Sequence, residues 1–413
     1  MVLAIAPLSQ GKVTNESYQP VSNGITLYVG GTGPDNYTKI QDAINDSLDG
    51  DKVFVYAYSS PYFENIILDK SIDLEGEDKN TTIIDGKGND IVLINANYVS
   101  VSGFTIQNGE NAVILISCSD TIISYNIILN NQRDGIYLAN SSYNTIFNNV
   151  VQNNYYGIAF HWSETGPEPC TYNDILYNRI LDNSHRGISL SLNHEYNNII
   201  GNTIEYNQLY GIKICCSGDN NIIYHNNFLA NTQNAEDGDS NVWDNGYPSG
   251  GNYWDDYNGT DENSDGIGDT PYHIPGGNNT DRYPLMKPWD NKPPATPTID
   301  GPNVGKPRVE YDFTFSTDDP EGNNISYYIE WGDGTYMGWT YYSISGENVT
   351  FNHTWNKIDN YVIRCKTKDI YGDESQWGTF DVKIPRNKAT FDSWFQWFLE
   401  QLSIFKRFFY YIY

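Results

Sequence analysis

The stretch His161-Trp-Ser-Glu-Thr-Gly-Pro-Glu-Pro-Cys170 puts an imidazole, an indole and two carboxyls within ten residues. Around it, the pairs Arg133-Asp134, Tyr155-Tyr156, His185-Arg186 and Leu209-Tyr210 each stand immediately before a Gly-Ile dipeptide, and Lys213 follows the last of them. Aromatic rings offer an apolar face with a polar handle, and guanidinium and ammonium groups offer directed donors. Together they suit contact with a saccharide. Cleavage asks for more. A glycosidase needs two carboxyls on one face roughly 5–9.5 Å apart, whereas the equivalent positions Asp134, Tyr156, Arg186 and Tyr210 hold no aligned pair of acids. An eliminating enzyme needs a base and a cation; Arg186 and Lys213 are candidate cations, with no acid cluster beside them. Arg133, Tyr155, Tyr156, His161, Trp162, Glu164, His185, Arg186, Tyr210 and Lys213 are therefore read as a ligand face, and no residue is assigned to catalysis.

A second constellation is Asp261-Glu-Asn-Ser-Asp-Gly-Ile-Gly-Asp269. Oxygen-bearing residues at every second position with Gly at the sixth is the spacing of a calcium loop. Asp261, Asn263 and Asp265 would give side-chain oxygens, Ile267 its carbonyl and Asp269 a ninth-position ligand. The twelfth position is Tyr272, so the bidentate acid is missing, and Asp281 or Asp255 is the expected substitute. A structural calcium ion is the expected cofactor.

These groups need a scaffold, and the chain writes one repeatedly. Asn108, Asn131, Asn153, Asn183, Asn207 and Asn231 recur at about 22–30 residues, the period of stacked repeats. Gly-Ile-x-apolar follows at Gly135, Gly157, Gly187 and Gly211. Between copies lie Asn144-Thr145-Ile146, Asn173-Asp174-Ile175, Asn198-Ile199-Ile200 and Asn221-Ile222-Ile223, trailed by Asn149, Asn178, Asn202 and Asn226. The β-branched runs are short and alternate with period two. None can bury its apolar side alone, so the copies must stack. Equivalent residues then lie about 4.8 Å apart. Asn at a corner can take the left-handed conformation and bond to the Asn one rung above. The His161–Cys170 excess must bulge from one face, where loops often bind.

This pattern predicts a right-handed parallel β-helix. Over roughly residues 24–290 the sequence resembles the NosD-like and the carbohydrate-binding and sugar-hydrolysis β-helix families. The resemblance is specific for fold and far less so for activity. The Asp261–Asp269 run resembles calcium loops of the dockerin and thrombospondin type. Near the N-terminus, Thr38-Lys39-Ile40-Gln41 matches a capping box, and Ile40, Ala43, Ile44 and Leu48 follow helical spacing. This helix is expected to cover the open end of the first rung, which would otherwise be an aggregating edge.

Residues 24–247 are thus read as the β-helix and 248–289 as an Asp/Gly-rich cap. A Pro-rich linker follows at 290–297. Beyond it, Tyr311–Phe315, Ser326–Glu330, Val349–Phe351 and Tyr361–Cys365 alternate as strands at sandwich spacing. With Trp331-Gly-Asp-Gly-Thr335, His353-Thr-Trp355 and Tyr371-Gly372 they resemble the PKD-type immunoglobulin-like domain, over 298–386. That family implies a spacer or adhesion module. Residues 387–413 are dense in aromatics and predict a short amphipathic helix, suited to a membrane interface or a protein contact. Residues 1–23 read as a leader, with Met1–Ala6 as the stump of a signal peptide.

The net charge of −28 argues against nucleic acid and anionic lipid as partners. About ten Asn-x-Ser/Thr sequons, among them Asn36, Asn80, Asn140, Asn258, Asn348 and Asn352, point to a secreted or cell-surface glycoprotein. The five cysteines do not make a disulfide framework. Cys118 and Cys170 fall two rungs apart, about 9.6 Å, beyond disulfide reach, and Cys215–Cys216 is a vicinal pair. The leading functional reading is a calcium-stabilised extracellular or cell-surface protein that acts as a structural and adhesion platform, with binding of polysaccharide or surface glycan as a secondary role. A polysaccharide lyase or glycoside hydrolase on the same scaffold comes next. A copper-site maturation factor, implied by the NosD resemblance, is third, because Met is scarce and His161, His185, His194 and His225 form no cluster in sequence.

Overall fold

A computed structural model describes residues 24–161, 168–369, 372–385, and 397, 398 and 400. The leader expected at 1–23 lies outside the described residues. So does the aromatic helix at 387–413, apart from Trp397, Phe398 and Glu400, which are helical. The chain forms two units, Met1–Trp289 and Asp290–Tyr413.

The first unit is the expected β-helix. Three parallel sheets wrap one core. The first face has nine strands, from Thr26–Val29 to Ile222–Tyr224; the second has eight, from Ile83–Asp85 to Tyr253–Trp254; the third has eight, from Ile66–Leu68 to Gln233–Asp237. Register turns the sequence repeat into columns. On the first face Val101, Ile123, Ile146, Ile175, Ile199 and Ile223 sit one above another, all buried. On the third face Ile136, Ile158, Ile188 and Ile212 do the same. Each strand is too short to be stable alone; stacking buries a continuous aliphatic column.

The asparagines form ladders, and the corner is built differently from expectation. Asn126, Asn149, Asn178, Asn202, Asn226 and Asn252 stack at one corner, each Nδ2 donating to the Oδ1 of the next at 2.9–3.2 Å. Asn144, Asn173, Asn197 and Asn221 form a second ladder, and Asn131, Asn154, Asn183, Asn207 and Asn231 a third. A left-handed residue stands before the ladder Asn on all but the last rung: Tyr125, Asn148, Tyr177, Gly201 and His225 at the first corner, and Tyr143, Tyr172, Tyr196 and Asn220 at the second. Of the six repeating asparagines, Asn108 and Asn153 take the left-handed role, while Asn131, Asn183, Asn207 and Asn231 belong to the ladder. Turning and hydrogen bonding are divided between neighbours, since a side chain locked into the ladder is spent there.

Gly135, Gly157, Gly187 and Gly211 are close-approach glycines, without positive φ. A Cβ on Gly157 would fall 2.5 Å from the Gly187 carbonyl oxygen and 2.6 Å from Ile180 Cγ2. Each of these glycines lies inside a third-face strand, where its missing side chain lets the neighbouring rung approach.

The N-terminal helix, Ile40–Asp46, covers the first rung with Ile40, Ala43 and Ile44 fully buried. Leu48 lies past its end and is exposed. The capping box does not form. Instead Glu64 accepts the backbone N–H groups of Ile40 and Gln41 at 2.9 and 3.0 Å, an acid at the positive end of the helix supplied from the next rung. At the other end the aliphatic column gives way to rings: Phe228 stacks on Trp254 at 4.3 Å and Trp254 on Tyr272 at 4.2 Å.

The second unit holds two antiparallel sheets. One joins Thr298–Asp300, Glu310–Ser316 and Val349–Thr354; the other joins Tyr336–Met337, Ile325–Glu330, Asp359–Asp369 and Gly378–Ile384. Phe313, Trp331, Trp355 and Ile363 fill the space between. Trp331-Gly-Asp-Gly-Thr335 is the expected tight turn: Gly332 and Gly334 are left-handed, Asp333 accepts the Thr335 N–H at 3.0 Å, and His353 bonds Asp333 at 2.9 Å while stacking on Trp331. Asp319 likewise closes a turn, accepting the N–H groups of Glu321 and Asn323.

All five cysteines are free thiols. Cys118 and Cys170 stand in one interior corner with Ser141 between them, as the spacing predicts. Cys215 and Cys216 have their sulfurs 2.8 Å apart, unbonded.

Candidate glycan-contacting face

The outer surface of the third face gathers most of the predicted ligand residues. Asp134, Tyr156, Arg186 and Tyr210 are in direct register on consecutive strands. Three residues further along, Tyr137, Ala159, Ser189 and Lys213 form a second outward column, which Glu236 continues. Register alone converts four separate dipeptides into a patch, because neighbouring strands are about 4.8 Å apart.

His161 ends its strand and its ring folds back over the face. It stacks on Tyr137 at 4.4 Å, and its Nε2 lies 2.8 Å from Asp134 Oδ2. The Asp134 side chain is only 2% exposed. A carboxylate with one imidazole partner fixes the tautomer and leaves Nδ1 as the free ring nitrogen. Tyr156 stands between His161 and His185, with ring centroids 6.3 and 5.1 Å away. Burial raises its phenol above the usual tyrosine range. Tyr155 is exposed and packs edge-on against Tyr156 and beside His185. Burial, then the charge of Arg186, hold His185 below the usual imidazole range.

Arg186 lies over two rings, its guanidinium carbon 5.5 Å from Tyr156 and 5.9 Å from Tyr210. Its Nη1 donates to Ser189 Oγ at 2.9 Å. Lys213 pairs with Glu236 and lies 5.1 Å from the Tyr210 ring. That bond to Lys213 holds the Glu236 carboxyl below its ordinary range, and a hydrogen bond to Glu236 raises Tyr210. Arg133 sits at the rim, 3.6 Å from Glu110. Trp162 and Glu164 lie outside the described residues.

Four contributors were not singled out from sequence: Tyr137, Ser189, Glu236, and Asp134 as the partner of His161. The signal existed as the column three residues after each pre-glycine position. A second feature also went unread. Tyr143, Tyr172 and Tyr196 stack on consecutive rungs at 5.1 and 5.2 Å, nearly parallel and each at least 44% exposed.

The acidic loop of the cap is closed by its own hydrogen bonds. Asp261 accepts the N–H groups of Asp265 at 3.2 Å and Gly266 at 2.9 Å, Asp265 that of Ile267, and Asp269 that of Glu262. Gly266 is left-handed, and Ile267 turns its side chain into the protein. Asn263 donates to Asp265 at 2.9 Å. The two substitutes expected for the missing twelfth ligand are engaged elsewhere. Asp281 is buried and accepts from the backbone of Asn252, the Trp254 indole and the backbone of Tyr283. Burial pushes its carboxyl up to about 6. Asp255 accepts from Ala230 and Asn234. Tyr272 itself is half-buried and stacks its ring on Trp254. Among the described residues no three His, Cys, Asp or Glu side chains converge as a metal site.

The fold and this face define a parallel β-helix protein joined to a PKD-like sandwich. The chain belongs to the NosD family, described as periplasmic copper-binding protein, whose sequence model matches residues 44–259, just over half of the chain. It is 31% identical over 96 residues to a cell surface glycoprotein of Methanothermus fervidus, a match covering 23% of this chain and only 16% of that protein. Among solved structures it is similar to the PKD domain of an M14-like peptidase from Thermoplasmatales archaeon SCGC AB-540-F20, at 49% identity and a TM-score of 0.23, over 24% of this chain and all of that one. It is also similar to an alginate lyase from Paenibacillus sp. str. FPU-7, at 12% identity and a TM-score of 0.33, over 55% of this chain and 97% of that one. No helix among the described residues is long and apolar enough to cross a membrane.

Proposed function

We propose that this chain is an extracellular or cell-surface β-helix protein whose third face binds a glycan. The observation that carries the reading is the in-register row Tyr156, Arg186 and Tyr210, two aromatic rings with a guanidinium between them on a rigid sheet. Rings stack on the apolar side of a sugar, and the charged donors meet its oxygens. Strands hold such a constellation better than loops do. The sequons and the cell-surface relative support the location.

Retention of the purified chain in gels containing a panel of neutral and acidic polysaccharides tests this. Tyr156→Ala and Tyr210→Ala are each expected to weaken binding to the retained glycan about ten-fold, the size of one lost aromatic contact. Variants that bind as tightly as the parent, or a folded parent that binds nothing, would sink the reading. A cleaving enzyme on the same face is a second reading. The His161–Asp134 pair favours it, since the buried carboxylate orients an imidazole able to take a proton. New reducing ends or unsaturated products in the same panel, lost in His161→Ala, would establish it.

Calcium in the Asp261–Asp269 loop belongs to this proposal as a structural cofactor. The fit is partial: the spacing and the left-handed Gly266 suit a calcium loop, and the twelfth-position acid is absent. Calcium at about 100 times its dissociation constant stabilises by roughly 2.7 kcal/mol. Chelation is therefore expected to lower the melting temperature by about 5–10 °C. Asp265→Ala should abolish the difference. Identical melts with calcium and with chelator would remove calcium from the picture.

Among the described residues no three His, Cys, Asp or Glu side chains converge to hold the copper named in the family's description. All six histidines and five cysteines are among the described residues. His161 is bonded to Asp134, His194 accepts the Cys170 N–H inside the core, and His225 stacks on Trp289.

A further inference from the structure

We infer that the glycan is acidic, and that a uronate carboxylate docks on Arg186. This rests on the proposal that the third face binds a glycan, and adds the class of sugar. The chain carries 52 acidic against 24 basic residues. The other cations beside this face, Arg133 and Lys213, each have a carboxylate within ion-pair distance, as does Arg179 on the second face. Arg186 does not: among the described residues no carboxylate lies within ion-pair distance of it.

Its donors are unevenly used. Nη1 is taken by Ser189 Oγ at 2.9 Å. Nε is buried and has no partner, and the Nδ1 of the adjacent His185 is likewise buried and unpartnered. Buried donors are almost always satisfied, so an orphan N–H calls for a group supplied from outside. The acids nearest in register are committed elsewhere, Asp134 to His161 and Glu236 to Lys213. The rings of Tyr156 and Tyr210 flank the guanidinium.

The geometry selects the anion. With Nη1 held by Ser189, the edge left is Nε with Nη2, two parallel donors that match the two oxygens of a planar carboxylate. The flanking tyrosines would take the sugar ring that carries it. A uronic acid provides both parts in one residue. The overall negative charge of the protein opposes such a ligand at long range, so binding has to come from this local fork.

The test uses the full chain and three probes in calorimetric titrations: oligogalacturonate, the same oligosaccharide with its carboxyls reduced to alcohols, and a sulfated neutral oligosaccharide of the same length. Oligogalacturonate is expected to bind at least ten-fold tighter than either of the others, and more weakly as salt is raised. Arg186→Lys keeps the charge and loses the fork, and should bring the uronate and sulfated probes to equal affinity. Arg186→Ala should bring the uronate down to the reduced probe. Thermal melts of both variants establish that they are folded. Equal binding of the uronate and the reduced probe would overturn the acidic assignment while leaving glycan binding in place. Equal or tighter binding of the sulfated probe would overturn the carboxylate. Failure of the folded parent to bind any of the three would overturn this inference, and the polysaccharide panel decides separately whether glycan binding itself falls.

Discussion

Asn178→Ala will lower the melting temperature of the β-helix by about 10 °C. Asn178 sits mid-ladder, and its Oδ1 accepts both the backbone N–H and the Nδ2 of Asn149, at 3.0 Å each. Its own Nδ2 donates to Asn202 and to the carbonyls of Ile146 and Leu176. Alanine strips partners from two buried donors on one rung and from acceptors on three residues. The Asn149 N–H is left as a buried orphan at about 1–3 kcal/mol, while its Nδ2 keeps the Ile123 and Phe147 carbonyls; each of the other lost bonds costs about 0.5–1.5 kcal/mol, and since they share one site they do not add fully, so roughly 3–5 kcal/mol is expected. For a unit of this size a loss of 1 kcal/mol moves the midpoint by about 2–4 °C. Thermal melting followed by circular dichroism measures it, and amide exchange at Asn149 should quicken. A shift under about 2 °C would mean that the ladder decorates the corner rather than holding it.

Gly157→Ala should destabilise by a comparable amount for a different reason. The added methyl would sit 2.5 Å from the Gly187 carbonyl oxygen and 2.6 Å from Ile180 Cγ2. Neither can move far, because Gly187 is fixed in the sheet and Ile180 is fully buried. Overpacking of this kind costs about 1–3 kcal/mol and more where backbone must shift. Tyr156 adjoins Gly157 on the same strand, so a backbone shift there should also impair glycan binding even below the midpoint. Gly238 is the control: its φ is not positive and nothing lies closer than 3.8 Å to a Cβ there. Gly238→Ala is expected to change the midpoint by less than about 2 °C. Equal behaviour of the two variants would show that close approach is not what the third-face glycine does.

Those two positions also show what a linear reading can reach. The aliphatic columns were legible, because one inward side chain per short strand must repeat with the rung. The ladder was legible as a chemistry, yet its place was off by one residue at Asn153, since a repeating Asn looks the same whether it turns the chain or bonds to its neighbour. Tyrosine at the left-handed position could not be foreseen from propensity, which favours Asn and Gly there. At the second corner those tyrosines, Tyr143, Tyr172 and Tyr196, stack on one another. The helix cap came from Glu64, more than twenty residues away, a contact that exists only once the rungs are stacked. The candidate face follows the same rule. The alignment of Arg186 with Tyr210 was legible because each precedes a repeated Gly-Ile. Asp134 was passed over as the partner of His161 because that contact depends on a ring folding back along a strand. Asp281 was expected as a loop ligand and is instead the buried acceptor that ties down Trp254.

The most direct test of the third face is hydrogen–deuterium exchange of the full chain with and without saturating oligogalacturonate. Protection confined to the strands 134–139, 156–161, 186–191 and 210–215 is the expected result. Protection centred on the tyrosine stack at 143, 172 and 196 or on the PKD-like unit, or no protection at all, would contradict it.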